Sequence, residues 1–131
     1  FALKGIMSLN DVERAIDIGC TAVMISNHGG RQLDGTISTI SALPAILESV
    51  SGEVEVWIDG GIRTGQDILK AIALGANGTL LGRAYLYGLG ANGKAGVTQT
   101  LEMLQRELDT TLALCGGSFL KNVNSSILYN N

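Results

Sequence analysis

Four short apolar runs alternate with helical patterns along the chain, and this alternation restricts the fold more than any other feature. The runs are FALKGIM at 1–7, TAVMIS at 21–26, VEVWID at 54–59 and GTLLG at 78–82. Strands that alternate with helices form parallel sheets joined by right-handed crossovers. The predicted fold class is therefore α/β, and two architectures fit it: an open doubly wound sheet, or part of a (β/α)8 (TIM) barrel.

Helix signals follow each run. Ser8 with Asp11, and Thr64 with Asp67, have the spacing of a capping box. We predict helices over about 8–19, 41–50, 64–75 and 97–115, with a short apolar turn at 83–89 and another turn at 92–93. Both faces of the strands are expected to be covered. The apolar stripes predicted to be buried are Leu9, Val12 and Ile16; Leu43, Ile46, Leu47 and Val50; Ile68, Leu69 and Ile72; and Val97, Leu101, Leu104, Leu108 and Leu112.

Composition excludes several classes of protein. The chain has 131 residues, 46% of them hydrophobic, and we expect one domain over 1–131. Its net charge of −3 includes no basic run, which argues against a nucleic-acid partner. No apolar run approaches the ~18 residues of a transmembrane segment. Cys20 and Cys115 lack metal-ligand spacing, and a reduced, cytoplasmic protein without a metal site is expected.

Polar clusters follow the carboxyl ends of the strands, where barrel proteins place their chemistry. These clusters are Asn27-His28, residues 59–61 and Gly82-Arg83. Barrels commonly bind phosphate with the loops after strands seven and eight. In this chain the loops after the third and fourth strand runs carry GGIRTG and GR. The four units therefore favour a (β/α)4 half of a TIM barrel, units five to eight. Arg63 and Arg83 would add charge to these loops, and the alternative is a pair of ordinary tight turns with solvated arginines.

Other polar residues each have a functional and a structural interpretation. His28, the chain's only histidine, is either a general base or a structural residue. Arg31 either grips a carboxylate or pairs with Asp34. Lys4 either points into the site or extends to solvent at the strand end. Asp59 either caps a turn or accepts a hydrogen bond from a ligand.

Taken together, these motifs resemble the FMN-dependent α-hydroxy acid dehydrogenase/oxidase family, which includes glycolate oxidase, flavocytochrome b2 and the bacterial L-lactate and mandelate dehydrogenases. The resemblance extends over essentially the whole chain. The most specific match is SNHGGRQLD, whereas other flavin and nucleotide-phosphate barrels carry loops similar to GGIRTG. The matching segments are KGI at 4–6, SNHGGRQLD at 26–34, DGGIRTG at 59–65 and LGRAYLYGL at 81–89.

The resemblance implies FMN as cofactor and a small 2-hydroxy acid as substrate. His28 would be the catalytic base and would bind substrate together with Arg31, which holds the carboxylate. Lys4 would stabilise the reduced flavin ring, and Ser26 would touch the flavin. The residues implied to contact the ribityl and phosphate end are Asp59, Gly60, Gly61, Ile62, Arg63, Gly82 and Arg83. The lactate dehydrogenase branch also allows a location at the inner face of the membrane.

The resemblance covers only the fifth to eighth units of the family's barrel. The first four units supply a substrate-binding tyrosine, the other side of the flavin and the aspartate that orients the histidine. We therefore expect a fragment with weak or no activity alone, and the alternative is a phosphate- or FMN-binding half barrel without catalysis. The first and last strands of a half barrel lack outer neighbours, which predicts self-association through these edges.

Overall fold

The computed structural model describes residues 1–129 and contains all four predicted strands. The strands pair in parallel in the order β1-β2-β3-β4. The elements are β1 (Ala2–Ile6), α1 (Leu9–Asp17), β2 (Ala22–Ser26), α2 (Thr39–Val50), β3 (Glu55–Asp59), α3 (Gly65–Ala73), β4 (Gly78–Leu80) and α4 (Arg83–Leu114), with 3₁₀ turns at His28–Gly30, Leu120–Asn122 and Ser125–Ile127.

The first three helices begin where side chains satisfy their free backbone N–H groups. The Ser8 hydroxyl accepts from the Asp11 N–H at α1, and Thr64 and Asp67 form both bonds of a capping box at α3, as predicted. At α2 the cap is Ser38, which accepts from the Ser41 N–H, so the helix begins two residues before the predicted position.

The last helix differs from its prediction. Residues 83–89, expected to form a short turn, are the first part of α4, and the predicted break lies at Asn92 (φ −152°, ψ 34°) and Gly93 (φ 51°, ψ −137°). The two arms of α4 meet where Gly88 lies against Gly96, so closely that neither position has room for a side chain. Close packing of the arms therefore offsets the weak helix propensity of the glycines.

The core lies on one face of the sheet. Val23 and Ile25 of β2 and Val56 and Ile58 of β3 are buried there against helical residues that include Leu43. A sheet in chain order with its helices on one face is the arrangement of a barrel, whereas a doubly wound sheet reverses its order and has helices on both faces. The half-barrel prediction is thus confirmed over the doubly wound alternative.

The opposite face corrects the expectation that both faces would be covered. Lys4, Met24, Trp57 and Gly78 pair in one row across the sheet. Lys4 is exposed, and the other three are only half-buried. We call this row the open sheet face. In a closed barrel the same row would point to the interior, where the remaining strands would cover it.

Two residues of the predicted apolar stripes are also exposed. Leu9 is 44% and Leu101 is 48% exposed, whereas Val12, Leu104 and Leu112 of the same stripes are buried. The spacing of apolar residues predicts which side chains share one face of a helix. A side chain on that face is buried only where another element covers it.

Candidate active site

Three side chains form a hydrogen-bonded cluster at the carboxyl ends of β1, β2 and β3. The Lys4 ammonium lies 2.7 Å from Asp59 Oδ2 and donates to Ser26 Oγ at 3.1 Å. The Ser26 hydroxyl donates to Asp59 Oδ2 at 2.6 Å and is 3% exposed. Ser26 and Asp59 pair across the sheet, so the parallel register itself brings them together.

The cluster keeps Asp59 ionised. Burial alone would raise the pKa of Asp59, but hydrogen bonds from Lys4 and Ser26, with the positive charges of Lys4 and His28, hold that pKa below its ordinary value. The sequence left Asp59 as a turn cap or a ligand acceptor, and the resemblance placed it at the phosphate end. In the structure its carboxylate lies against the lysine and also lines the cleft described below.

A bulge in β1 contributes to the position of Lys4. The register with β2 shifts between Lys4 and Ile6, because Lys4 pairs with Met24 and Ile6 pairs with the next residue, Ile25. The extra residue is Gly5, whose φ of +98° suits glycine. Lys4 consequently stays on the open sheet face, and its ammonium reaches the cluster.

His28 lies in a left-handed turn that explains the two glycines after it. The φ angles of His28, Gly29 and Gly30 are 58°, 68° and 71°. Glycine adopts such angles freely, whereas a residue with a Cβ pays roughly 1–2 kcal/mol. Two side chains hold the turn: the His28 N–H donates to Ser26 Oγ at 3.1 Å, and the Gly30 N–H donates to Asn27 Oδ1 at 3.1 Å.

Three backbone N–H groups at the end of the glycine-rich loop are bonded to carboxylates of the chain itself. Arg63 and Thr64 donate their N–H groups to Asp67 Oδ2 at 3.0 and 2.9 Å, and the Gly65 N–H donates to Glu107 Oε2 at 2.9 Å. Carboxylates of the chain itself therefore occupy the start of α3. By contrast, α4 begins at Gly82 without a side-chain cap, and a helix start of this kind attracts anions.

These elements enclose one cleft of about 160 Å³ at the carboxyl ends of the strands. Arg83, the first residue of α4, reaches across the cleft and lies beside Gly29 of the histidine turn. Ser26 does not line the cleft but is hydrogen-bonded to three residues that do: Lys4, His28 and Asp59. The other ten predicted site residues line it: Lys4, His28, Arg31, Asp59, Gly60, Gly61, Ile62, Arg63, Gly82 and Arg83.

Two of the alternatives left open by the sequence can be compared with this geometry. Lys4 points into the site and does not extend away from it. Asp34 accepts a hydrogen bond from its neighbour Gly35, and within residues 1–129 Arg31 forms no ion pair with it. The exposed Arg31 guanidinium is thus available at the rim of the cleft.

Two residues that the sequence did not assign to the site support it, Asn27 and Thr39. Asn27 caps the histidine turn, and its residue type before HGG was an available signal, since Asn is a preferred cap. Thr39 is buried, and its hydroxyl donates to the Gly60 carbonyl at 3.2 Å. This contact joins residues far apart in the sequence and left no local signal.

The sheet order and the one-sided helices define a barrel-type protein, and the cleft over the strand ends is lined by more basic than acidic side chains. The chain belongs to the FMN-dependent dehydrogenase family, because the model of this family matches residues 1–130. The family resemblance given by the sequence motifs is confirmed.

Individual relatives agree with this assignment. The chain is 49% identical to an L-lactate oxidase of a Nostoc species over 97% of its length, and 47% identical to an L-lactate dehydrogenase of Caulobacter vibrioides over 96%. It is 53% identical to a pre-mycofactocin synthase of Mycobacterium tuberculosis over 86%. The chain spans about a third of the length of these relatives: 35%, 33% and 28%.

Solved structures match as well. A mandelate oxidase variant crystallised with 2-hydroxy-phenylacetamide superposes with a TM-score of 0.88 at 47% identity, covering 92% of this chain and 36% of that one. A mandelate oxidase structure with benzoyl-formic acid gives a TM-score of 0.86. Within the described residues, none of the helices has the length and apolar character required to cross a membrane.

Proposed function

We propose that this chain is the C-terminal half barrel of an enzyme that oxidises an L-2-hydroxy acid of the lactate, glycolate or mandelate type to a 2-oxo acid with FMN. The observation that supports this most is the meeting of His28, Arg31, Lys4 and the two loop arginines in one cleft. Membership of an FMN-dependent family is consistent with the chemistry of the cleft. Bound FMN would accept the two electrons and one of the two hydrogens that the hydroxy acid loses.

The residues present fit FMN at both of its ends. A phosphate suits the uncapped start of α4 at Gly82, with the Arg63 and Arg83 guanidinium groups beside it. At the other end, Lys4 offers a positive charge that Asp59 holds in place. The cleft of about 160 Å³ is smaller than the ~300–1,000 Å³ of a typical ligand site, so FMN would extend onto the open sheet face.

Two residues would act on the substrate. Arg31 at the rim would bind the carboxylate through its planar guanidinium. The strained turn aims the His28 imidazole into the same cleft, where one of its ring nitrogens would take the proton released as the alcohol becomes a carbonyl. Backbone strain of this kind is concentrated at functional positions.

Flavin titration tests the proposal. Purified chain is titrated with FMN while flavin fluorescence is recorded, and the complex is then mixed without oxygen with L-lactate, glycolate or L-mandelate. Loss of the flavin's visible absorbance supports the enzyme, and the His28→Asn variant should bind FMN but lose this bleaching, with Glu48→Gln on exposed α2 surface as control. Bound flavin that never bleaches supports the alternative, a phosphate- or FMN-binding half barrel, and absence of binding contradicts both.

We also propose that the chain self-associates and is cytoplasmic. Strands β1 and β4 each have one neighbour, and the open sheet face carries half-buried Met24 and Trp57. Sedimentation should give a dimer that weakens on dilution and in the Met24→Lys variant. A monomer at high concentration contradicts self-association, and recovery of the protein outside the cytoplasmic fraction contradicts the location.

A further inference from the structure

Thr39 is one of two buried polar side chains in residues 1–129, and the other is Ser26 of the site. It is 4% exposed and is the first residue of α2. The helix itself does not need this hydroxyl, because Ser38 already caps α2. The Thr39 hydroxyl instead donates to the carbonyl of Gly60 at 3.2 Å, twenty-one residues away in the chain.

This hydrogen bond fixes a peptide group that would otherwise be free to rotate. Gly60 and Gly61 have φ angles of +106° and +81°, and a pair of glycines allows many orientations of the peptide between them. A peptide is planar and trans, so its N–H points opposite to its C=O. With the Gly60 carbonyl held by Thr39, the Gly61 N–H faces away from α2.

Gly60 lies between Thr39 and Asn27, within van der Waals contact distance of both. A Cβ at position 60 would lie 3.5 Å from Thr39 Oγ1 and 3.6 Å from Asn27 Oδ1. Asn27 in turn caps the histidine turn through the Gly30 N–H and donates to the Ile37 carbonyl at 3.4 Å. The start of α2 is therefore fastened on one side to the loop that carries His28 and on the other to the loop that carries Arg63.

We infer that Thr39 is a positioning residue for the anion site: its hydroxyl holds the Gly60–Gly61 peptide in the orientation that accepts the phosphate end of a flavin mononucleotide. Thr39 does not line the cleft that contains His28, Arg31 and both loop arginines; it lines an adjoining cavity of about 430 Å³, and its hydrogen bond to Gly60 is its link to the cleft. The inference rests on the proposed function, since it concerns the same cleft.

The test compares FMN with riboflavin, which has the same ring but no phosphate. Thr39→Val keeps the size of the side chain and removes the donor, whereas Thr39→Ser keeps the donor. We expect Thr39→Val to bind FMN about tenfold more weakly, the factor that corresponds to about 1.4 kcal/mol, one net hydrogen bond. Thr39→Ser should stay within about twofold of the unaltered chain, because its donor remains, and riboflavin binding should be the same in all three proteins.

Separate results overturn the inference and the proposed function. If the unaltered chain binds FMN and Thr39→Val binds it equally well, or loses FMN and riboflavin in equal measure, the positioning role is wrong and the proposed function stands. If the unaltered chain binds neither flavin, both fail. Thr39→Ala, which places no apolar branch beside the carbonyl, replaces Thr39→Val if thermal melts show that the valine variant is unfolded.

Discussion

Replacement of Ser26 by alanine should affect the site and the stability of the fold together. The change removes one hydroxyl that makes three contacts: it donates to Asp59 and accepts from the Lys4 ammonium and the His28 N–H. Alanine fits the space, because the side chain becomes smaller by a single oxygen. The variant therefore isolates the loss of hydrogen bonds from any steric effect.

The magnitude follows from these three contacts. The bond to the Asp59 carboxylate contributes about 1.5–3 kcal/mol as a bond to a charged group, and the bond from the His28 N–H contributes about 1 kcal/mol. The Lys4 side chain is 42% exposed, so water replaces its bond and we assign it nothing. The expected loss in the free energy of unfolding is about 3 kcal/mol near neutral pH.

The pH dependence of this loss provides a second check. The pKa of Asp59 lies below its ordinary value, so the stabilisation is fully present above that value and disappears as the pH falls through the lowered pKa. Without the hydroxyl the pKa of Asp59 should rise towards the ordinary value. The difference between the variant and the unaltered chain should therefore shrink in acid, once the carboxyl is protonated in both.

Urea unfolding followed by the fluorescence of Trp57, the chain's only tryptophan, measures both effects. The titrations are run near neutral pH and at the lowest pH at which both proteins are folded. Ser118→Ala, at an exposed serine, serves as control. A difference below about 0.5 kcal/mol, the size of an ordinary surface substitution, or a difference that is independent of pH, would refute the role of Ser26.

Three further changes test other parts of the structure. Gly30→Ala should lower stability by about 1–2 kcal/mol in thermal melts because φ is +71° there, whereas Gly90→Ala, at a helical glycine with open space around it, should be neutral or stabilising. Asp67→Ala should cost about 1–2 kcal/mol at neutral pH as the caps of α3 are lost. Burial alone would raise the pKa of Asp67, but the hydrogen bonds from Arg63 and Thr64 outweigh burial and hold that pKa below its ordinary value of 3.8. In urea titrations the deficit of the variant should therefore vanish as the pH falls below 3.8 and through the lowered pKa. Arg83→Gln should weaken FMN binding more than riboflavin binding in fluorescence titrations, and Arg14→Gln on α1 should change neither.

Much of the fold could be predicted because its signals are local. Strand runs, capping residues such as Ser8 and Thr64, and the Asn92-Gly93 break depend on neighbours within a few residues. The meeting of the site residues was also predictable, because parallel strands place their carboxyl ends at one edge of the sheet. The sequence placed Lys4 and Asp59 at this edge, but it did not predict the ion pair between them.

The features that could not be predicted depend on contacts between distant residues. Residues 83–89 are helical in the structure, where Gly88 of the first arm of α4 packs against Gly96 of the second arm. Local propensity favoured a turn there. At the start of α3 the Gly65 N–H is bonded to Glu107 of α4, forty-two residues away in the chain. The Thr39 bond to Gly60 crosses from one unit to the next. The exposure of Leu101 reflects the lack of a covering element, which spacing alone does not reveal.

Because the strand order repeats the chain order, each strand of the described chain forms its backbone ladder only with strands adjacent to it in sequence. Such an arrangement behaves like a short linear array, in which stability is a sum of modules and of the interfaces between successive modules. In such an array folding can begin in any module and spread stepwise in either direction. A defect in a central module such as the one containing β2 would interrupt this propagation, whereas a defect in a terminal module would leave the others intact.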